Sequence, residues 1–426
     1  MNIQRFEQTL KEINRFGCLG RGITRLAYSK EEQAAREYFV SLCKQAGLQV
    51  RVDACGNVIA RREGRNPKLP VVACGSHLDT VIEGGRYDGT IGVVAALEVI
   101  RRLNENGIET EHPIEIISFA CEESSRFGVS TIGSKAMAGL LNKEEIARLK
   151  DKAGISIQTA FSECSLDFRH VENAVRKREE LKVFFELHIE QGPLLEKEQK
   201  QIGIVSSIAA PIRLQVHVQG KASHSGTTPM NLRKDALLGA AEIALQLEAA
   251  AKAELDHGTV ATIGVCEVKP GAMNVIPDSV ELKVDIRGSS IVSRAAVLQQ
   301  LLRAFETIEN ERGLRIEWTT LSDEQPIQLD PDVARSIEAS CKKLGISYLH
   351  MSSGAGHDAM NMARLCPTGL IFVPSQDGVS HHPDEYTATV DIAAGVAVLE
   401  AEILKWAGAA HCHVPTLPDS RKSISQ

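Results

Sequence analysis

Alternating apolar and polar positions divide the chain into helix-forming and strand-forming segments. The early pattern gives a helix over Lys30–Ala46 and two strand-like segments, Gln49–Asp53 and Asn57–Arg61. Four later segments are short apolar or β-branched runs of the kind found in buried strands, namely Pro70–Gly75, Pro113–Cys121, Leu181–Leu187 and Thr368–Pro374. This alternation predicts an α/β domain whose mixed, mostly parallel sheet is flanked by helices.

The order of elements changes between residues 209 and 326. The pattern there predicts, in order, strand Ile212–Val218, helix Arg233–Ala253, strands Thr259–Val268 and Ser279–Ile286, helix Ser293–Asn310 and strand Leu314–Thr319. This βαββαβ order is the ferredoxin-like plan, and we interpret it as an inserted lid. The catalytic domain would then comprise residues 1–208 and 327–410, and residues 411–426 are expected to form a disordered tail.

Size and composition limit the classes of function. A chain of 426 residues usually forms more than one domain. Its 48 basic and 55 acidic residues give no electrostatic reason to bind nucleic acid or an anionic membrane, and no apolar run is long enough to span a bilayer. The ten cysteines are scattered singly. We therefore expect a cytoplasmic protein that acts on a small molecule.

Histidine, glutamate or aspartate follows each of the four buried strands, directly in two cases and after a short interval in the other two. Open α/β sheets bind their ligands beyond the carboxyl ends of the strands, so these polar residues are candidate site residues. After the first strand come His77, Asp79 and Asp88. We expect Asp79 to accept the second imidazole N–H of His77 and Asp88 to contact a metal. The alternative is that Asp88 caps the next helix and His77 is an ordinary loop residue.

The second strand ends in two adjacent carboxylates, Glu122 and Glu123. Their like charges would repel unless a cation or a shared proton lay between them. Adjacent residues on an extended chain point to opposite sides, so one carboxylate can bind metal while the other serves as general base. The alternative is a solvated strand end.

The third and fourth strands add His188 and His381. With His77, Asp88 and Glu123 they supply enough ligands for two divalent ions if Asp88 bridges them. Nitrogen and carboxylate ligands suit zinc, manganese or cobalt.

These four clusters, in this order along nearly the whole chain, resemble the M20 family of di-metal amidohydrolases and peptidases. Three further segments, Glu186–Gly192, His224–Met230 and Gly354–Asp358, are similar to the branch that hydrolyses allantoate and N-carbamoyl-L-amino acids. The resemblance implies one metal held by His77, Asp88 and His188, and another held by Asp88, Glu123 and His381. His382 is an alternative to His381, which we prefer because a serine precedes it and a proline stands two residues after it.

The same resemblance implies roles for Glu122 and His224. Glu122 would be the general base that takes a proton from a metal-activated water as it attacks a ureido carbonyl. His224 would stabilise the oxyanion across a homodimer formed through the lid.

Substrate recognition is expected to involve Arg213, Asn274 and Arg287, with Gln191 as a further contact. Both arginines fall on the polar phase of their predicted strands, where a guanidinium could bind a carboxylate, although a solvated sheet face is the alternative. The family resemblance favours allantoate, which would release ammonia and carbon dioxide, over an N-carbamoyl-L-amino acid. An aminopeptidase or aminoacylase activity, or a non-catalytic ligand-binding module, is a further alternative.

Overall fold

The computed structural model describes residues 1–409 of the chain. These residues form two compact units. The first contains Met1–Ser206, Leu329–Met351 and the described residues from His357 onward, and the second contains Ser207–Gln328 and Ser352–Gly356. The tail expected at 411–426 lies outside the described residues. No helix in the described part of the chain is both long and apolar enough to cross a lipid bilayer.

The strands up to the second unit are β1 at Cys18–Leu19, β2 at Gly22–Ile23, β3 at Gln49–Val52, β4 at Val58–Arg62, β5 at Val71–His77, β6 at Ile114–Phe119, β7 at Leu181–Ile189 and β8 at Ile202–Ile208. Those that follow are β9 at Ala210–Gln219, β10 at Ser223–His224, β11 at Val260–Lys269, β12 at Val275–Ile276, β13 at Ser279–Gly288, β14 at Arg315–Asp323, β15 at Ile327–Gln328, β16 at Tyr348–Ser353 and β17 at Thr368–Val373.

The α-helices are α1 at Ile3–Ile13, α2 at Lys30–Gln45, α3 at Thr90–Glu105, α4 at Ile132–Met137, α5 at Lys143–Ile146, α6 at Ile157–Glu163, α7 at Leu194–Lys197, α8 at Ala236–Ala253, α9 at Ile291–Arg312, α10 at Pro331–Leu344, α11 at Asp358–Leu365 and α12 at Thr389–Trp406. Short 3₁₀ helices cover Phe168–Ala174, Arg178–Glu180, Met230–Leu232, Leu255–His257 and Gln376–Gly378.

The main sheet of the first unit has the strand order β8-β17-β7-β5-β6-β4-β3. Its central four strands, β17, β7, β5 and β6, are parallel, and the outer pairings are antiparallel. This confirms the predicted mixed and mostly parallel sheet. The chain passes from β5 through α3 to β6 on one side and later returns to β7 on the other side of β5. The carboxyl end of β5 is therefore a topological switch point, where such sheets bind ligands.

Apolar side chains on one face of this sheet pack against α3 and α12. Val183, Phe185 and Leu187 of β7 belong to this core, whereas the alternate residues Glu186 and His188 do not. Because successive side chains on a strand point to opposite faces, His188 lies on the face that carries α11, whose Ala359 amide donates to Glu186. Alternation along β7 thus places a polar site opposite the main apolar core.

The second unit has a four-stranded antiparallel sheet in the order β11-β13-β9-β14. The elements follow the predicted βαββαβ order, and the short pair β10 and β12 is additional. Alternate residues of β9 are buried with α8 and α9 in one apolar cluster. Helix α8 begins three residues later than predicted because the carboxylate of Asp235 accepts the amides of Leu237 and Leu238. Arg233 is extended and instead donates to the carbonyls of Ser225 and Thr228.

Candidate metal centre

Two histidines from neighbouring parallel strands meet at the carboxyl edge of the main sheet. His77 is the last residue of β5, His188 is next to last in β7, and both are buried. Their ring centroids are 5.8 Å apart. His77 and His188, which the sequence analysis assigned to the ends of two different strands, are therefore neighbours in the fold.

Backbone carbonyl groups fix the orientation of both imidazole rings. Nδ1 of His77 lies 2.9 Å from the carbonyl oxygen of Asp79, and Nδ1 of His188 lies 2.9 Å from that of Ile189. A carbonyl only accepts, so each Nδ1 carries the donated hydrogen and each Nε2 faces inward. The two Nε2 atoms are 3.4 Å and 3.2 Å from Oδ1 of Asp88.

The second oxygen of Asp88 faces the other predicted ligands. Its Oδ2 is 3.3 Å from Nε2 of His381, and that nitrogen is 3.5 Å from Oε1 of Glu123. His382 is exposed, with Nδ1 3.7 Å from Asp384 rather than in the cluster. The potential ligand atoms of Asp88, Glu123 and His381 all lie within 4.8 Å of one another, as do those of His77, Asp88 and His188. The structure thus brings together the five predicted ligands as two groups that share Asp88.

Asp79 occupies a different role from the one expected. Its carboxylate is 3.8 Å from Nδ1 of His77, whose hydrogen bond goes to the Asp79 carbonyl instead. The carboxylate oxygens accept the backbone amides of Glu122 at 3.1 Å and Glu123 at 2.9 Å. The preceding residue, Cys121, has a left-handed backbone with φ of 53°. Asp79 therefore fixes the His77 tautomer through its backbone carbonyl, whereas its carboxylate holds a strained turn that presents Glu122 and Glu123. The expectation that the carboxylate accepts the imidazole N–H was wrong.

Burial and like charge change the proton affinities in this cluster. Burial raises the pKa of Glu122 well above its usual value, and the Glu123 carboxylate beside it adds to the effect. Burial and the charge of Asp88 raise the pKa of Glu123 to about 7. Hydrogen bonding to Asp88 raises the pKa of His381 to about 9. Burial alone would raise the pKa of Asp88, but hydrogen bonds with three imidazoles hold it well below the usual range. Three carboxylates are therefore buried close together, an arrangement that protons or cations would stabilise.

These donors fit divalent cations. Inward-facing imidazole nitrogens and carboxylate oxygens are the ligand types that zinc and manganese accept. Gln191 stands at the same place, with Nε2 2.6 Å from Oδ2 of Asp88 and 3.3 Å from Nε2 of His381. Its Oε1 atom is buried and, among residues 1–409, has no hydrogen-bond partner. The Oε1 atom of Gln191 is therefore an acceptor, next to Asp88 and His381, that a further ligand or the substrate could use.

The remaining predicted residues lie in the second unit. His224 in β10 pairs with Val275 in β12, and the amide after His224 donates to the carbonyl of Asn274. His224 and Asn274 are thus neighbours, and both are exposed. Nδ1 of His224 accepts the amide of Gly226 at 3.0 Å, which leaves Nε2 as the N–H donor.

Arg213 and Arg287 come together through an aspartate that the sequence analysis did not single out. Asp285 lies opposite Arg213 in the β9–β13 pairing and accepts its Nε at 3.3 Å. Arg287 donates to the same carboxylate through Nε and Nη2, both at 3.0 Å. The two guanidinium groups therefore share one carboxylate on the polar face of the sheet.

Two more residues of the site were not singled out as candidates from the sequence. Glu385 is buried and accepts hydrogen bonds from the Asp88 segment, although Glu385 and Asp88 are 297 residues apart in the sequence. His357 packs edge-on to His188, with ring centroids 4.5 Å apart. His357 lies within the Gly354–Asp358 segment already noted for its family resemblance, whereas the sequence signal for Glu385 is limited to its closeness to His381 and His382.

Comparison with known proteins agrees with this geometry. Residues 73–405 match the model of peptidase family M20/M25/M40. The chain is 41% identical over 397 residues to an N-carbamoyl-L-amino acid amidohydrolase of Geobacillus stearothermophilus, covering 93% of this chain and 96% of that protein. It is 34% identical over 397 residues to the allantoate amidohydrolase of Escherichia coli K12, again covering 93% and 96%.

A solved structure is also similar. The hydantoinase/carbamoylase family amidase of Burkholderia ambifaria superimposes with a TM-score of 0.89 at 35% identity, covering 97% of this chain and 99% of that one. The family predicted from the four strand-end clusters is confirmed. The chain belongs to peptidase family M20/M25/M40, and it is an amidohydrolase that acts on carbon–nitrogen bonds other than peptide bonds.

Proposed function

We propose that this protein is a metal-dependent hydrolase of the ureido or carbamoyl C–N bond in a small carboxylate substrate. The observation that carries the proposal is the pair of ligand groups that share Asp88. His77, Asp88 and His188 would hold one divalent cation, and Asp88, Glu123 and His381 the other. Zinc, manganese and cobalt all suit these ligands. Two such cations would supply Lewis acidity that lowers the pKa of an attacking water.

Glu122 is the proposed general base. It is the carboxylate beside Glu123 that belongs to neither ligand group, and its Oε2 is 3.8 Å from Nε2 of His77. Burial raises its pKa, which increases its tendency to take a proton from water, and the protonated carboxyl can then return that proton to the departing nitrogen. Asp79 supports this role by holding the backbone amide of Glu122.

His224 is the proposed donor to the tetrahedral oxyanion, since its Nε2 carries the hydrogen. We further propose that the second unit acts as a lid and dimerisation domain and that His224 serves the site of the partner subunit. Subunit mixing tests this. Glu122→Gln and His224→Ala are each expected to be inactive as homodimers, whereas a heterodimer of the two would contain one intact site and recover activity. No recovery after proven subunit exchange would exclude the trans arrangement.

Allantoate is the substrate that we favour. Arg213, Asn274 and Arg287 are all polar and exposed enough to meet a ligand, and the two arginines sharing Asp285 keep one net positive charge for a substrate carboxylate. An N-carbamoyl-L-amino acid is the second candidate, favoured by the 41% identity to the enzyme of Geobacillus stearothermophilus. Either substrate presents a terminal ureido group and a carboxylate.

Ammonia release separates the candidates. The protein would be stripped of metal, reloaded with Mn²⁺ or Zn²⁺, and assayed with allantoate, several N-carbamoyl-L-amino acids, a dipeptide and an N-acetyl amino acid. We expect metal-dependent ammonia release from allantoate above all others. Faster release from a carbamoyl amino acid would select the second candidate. Cleavage of the dipeptide or acetyl amino acid alone would overturn the ureido assignment, and no turnover of any substrate by metal-loaded protein would favour a binding module.

A further inference from the structure

We propose that Glu385 is a positioning residue that keeps one oxygen of Asp88 available to a cation by taking the hydroxyl proton of Ser380. The inference rests on the proposed metal sites and concerns a residue outside the ligand groups. Glu385 is 3% exposed, and its side chain joins two segments that supply ligands, the Asp88 loop and the residues before His381.

One oxygen of Glu385 fixes the backbone of the Asp88 loop. Oε1 accepts the amide of Tyr87 at 2.9 Å and that of Asp88 at 3.1 Å. The loop makes room for this carboxylate through Gly85, where an added Cβ would lie 2.1 Å from Oε1 of Glu385. Only glycine allows the carboxylate to approach the backbone this closely.

The other oxygen of Glu385 competes with Asp88 for a single proton. Oγ of Ser380 is 2.9 Å from Oε2 of Glu385 and 3.2 Å from Oδ2 of Asp88. A hydroxyl has one hydrogen, so it donates to one carboxylate at a time. The distance to Glu385 is the shorter of the two, and an ionised carboxylate can only accept hydrogen bonds. The hydroxyl hydrogen of Ser380 therefore points to Glu385.

That direction matters because Oδ2 of Asp88 is also the oxygen that faces His381. A carboxylate oxygen accepts through two lone pairs. The amide of Gln191 at 2.6 Å uses one of them. If the Ser380 proton used the other, a cation at the Asp88, Glu123 and His381 group would have to displace a hydrogen bond to a charged acceptor.

The substitution Glu385→Gln reverses this arrangement with little change in shape. The Gln carbonyl can still accept the two backbone amides, but its NH₂ group donates to Ser380 and turns the hydroxyl proton toward Asp88. A hydrogen bond to a charged group is worth about 1.5–3 kcal/mol. If the cation has to displace it, the dissociation constant for Mn²⁺ becomes larger by roughly 10- to 100-fold. We therefore expect one of the two Mn²⁺ sites, the one formed by Asp88, Glu123 and His381, to lose affinity by about that factor, with the other site changed much less.

Removal of the hydroxyl distinguishes proton direction from simple packing. In the double variant Ser380→Ala/Glu385→Gln no proton can reach Asp88 from position 380, so Mn²⁺ affinity should return to within about 3-fold of the wild-type value, a difference under 1 kcal/mol. Ser380→Ala alone should bind Mn²⁺ about as tightly as the wild type, and it tests the proposal even if Glu385→Gln fails to fold. Glu402→Gln is the matched control, because Glu402 is a buried carboxylate in α12 that accepts two serine hydroxyls.

Mn²⁺ binding is measured by titration calorimetry on metal-stripped full-length protein, with bound metal counted by elemental analysis and folding checked by thermal melting. Unchanged Mn²⁺ affinity in folded Glu385→Gln would overturn the proposal, as would a double variant that stays as weak as the single one, or a loss of about 10-fold or more in Ser380→Ala. A wild-type protein that binds no Mn²⁺ pair would instead refute the proposed metal function itself.

Discussion

Gly89 lies so close to His77 that a Cβ atom built on it would stand 2.3 Å from Nε2 of the imidazole. Real side chains do not approach this closely, so either the loop or the ring would have to move. Gly89 also has a left-handed backbone, with φ of 61°. The residue after Asp88 is thus restricted to glycine by its own conformation and by the ring nitrogen that faces Asp88.

Gly89→Ala should therefore lose metal as well as stability. Gly107 is a matched control, because it has the same φ of 61° but nothing within 4 Å of an added Cβ. We expect Gly107→Ala to lose about 1 kcal/mol of unfolding free energy from backbone strain and to retain its metal. Gly89→Ala should show at least that loss and also bind fewer than two Mn²⁺ ions. Urea unfolding and metal counting test this, and full metal content in Gly89→Ala would contradict it.

Glu122→Gln should separate metal binding from catalysis. The variant keeps the shape of the side chain and the amide that donates to Asp79, but it cannot take a proton. We expect two bound cations and a kcat reduced by about 100-fold or more. Glu123→Gln is the comparison, and it should lose metal because Glu123 belongs to a ligand group. A Glu122→Gln enzyme with normal kcat would remove Glu122 from the mechanism.

Arg287→Ala should weaken substrate binding without changing metal content. A lost contact between a guanidinium and a carboxylate raises KM by about 10-fold or more when it acts equally in the ground and transition states. Lys283→Ala is the control, because it removes a positive charge from the same strand two positions before Asp285. The KM of both variants is measured by steady-state kinetics on the best ureido substrate. An equal rise in KM for the two substitutions would argue against a specific contact between Arg287 and the substrate carboxylate.

Glu32 should make the stability of the metal-free protein depend on pH. Burial raises the pKa of Glu32 to about 7, although Arg36 lies 3.9 Å away and opposes the shift. The folded state therefore holds a proton that the unfolded chain releases near the ordinary glutamate pKa of 4.5. This contribution to stability is fully present below that unfolded pKa and is lost as pH rises through about 7.

The change is measured by urea unfolding in the presence of a chelator between about pH 4 and 8, a range that spans both the unfolded and the folded pKa of Glu32. The wild-type protein should lose up to about 3 kcal/mol across it, and Glu32→Gln should lose measurably less because its amide does not titrate. Parallel pH profiles for the two proteins would show that Glu32 does not cause the change.

The gathering of the predicted ligands could be anticipated from sequence because His77 and His188 end apolar runs of neighbouring parallel strands and Glu123 follows a third. Asp88 and His381 lie in the loops that follow the parallel strands β5 and β17. The contacts of Asp79 could not be predicted in the same way. The spacing indicates that Asp79 and His77 are near each other. Only the fold shows that the backbone carbonyl of Asp79 accepts the imidazole N–H, while its carboxylate accepts backbone amides in the turn after β6.

Residues that act through distant backbone groups leave no local pattern. Glu385 bonds to amides at Tyr87 and Asp88, which lie in a different part of the chain. Alternation did place Arg213 and Arg287 on the polar face of their strands, but the pairing of both with Asp285 depends on the register between β9 and β13. Such contacts require the three-dimensional arrangement of the sheet.

Strand β17 lies between β7 and β8, although it is synthesised long after both. Until Thr368–Val373 leaves the ribosome, the facing edges of β7 and β8 have no strand to pair with, and His381 has not yet been made. The main sheet of the first unit is therefore completed only after Val373 has been synthesised. An emerging or prematurely terminated chain would carry open sheet edges, so biosynthesis of this protein should place a particular demand on chaperones.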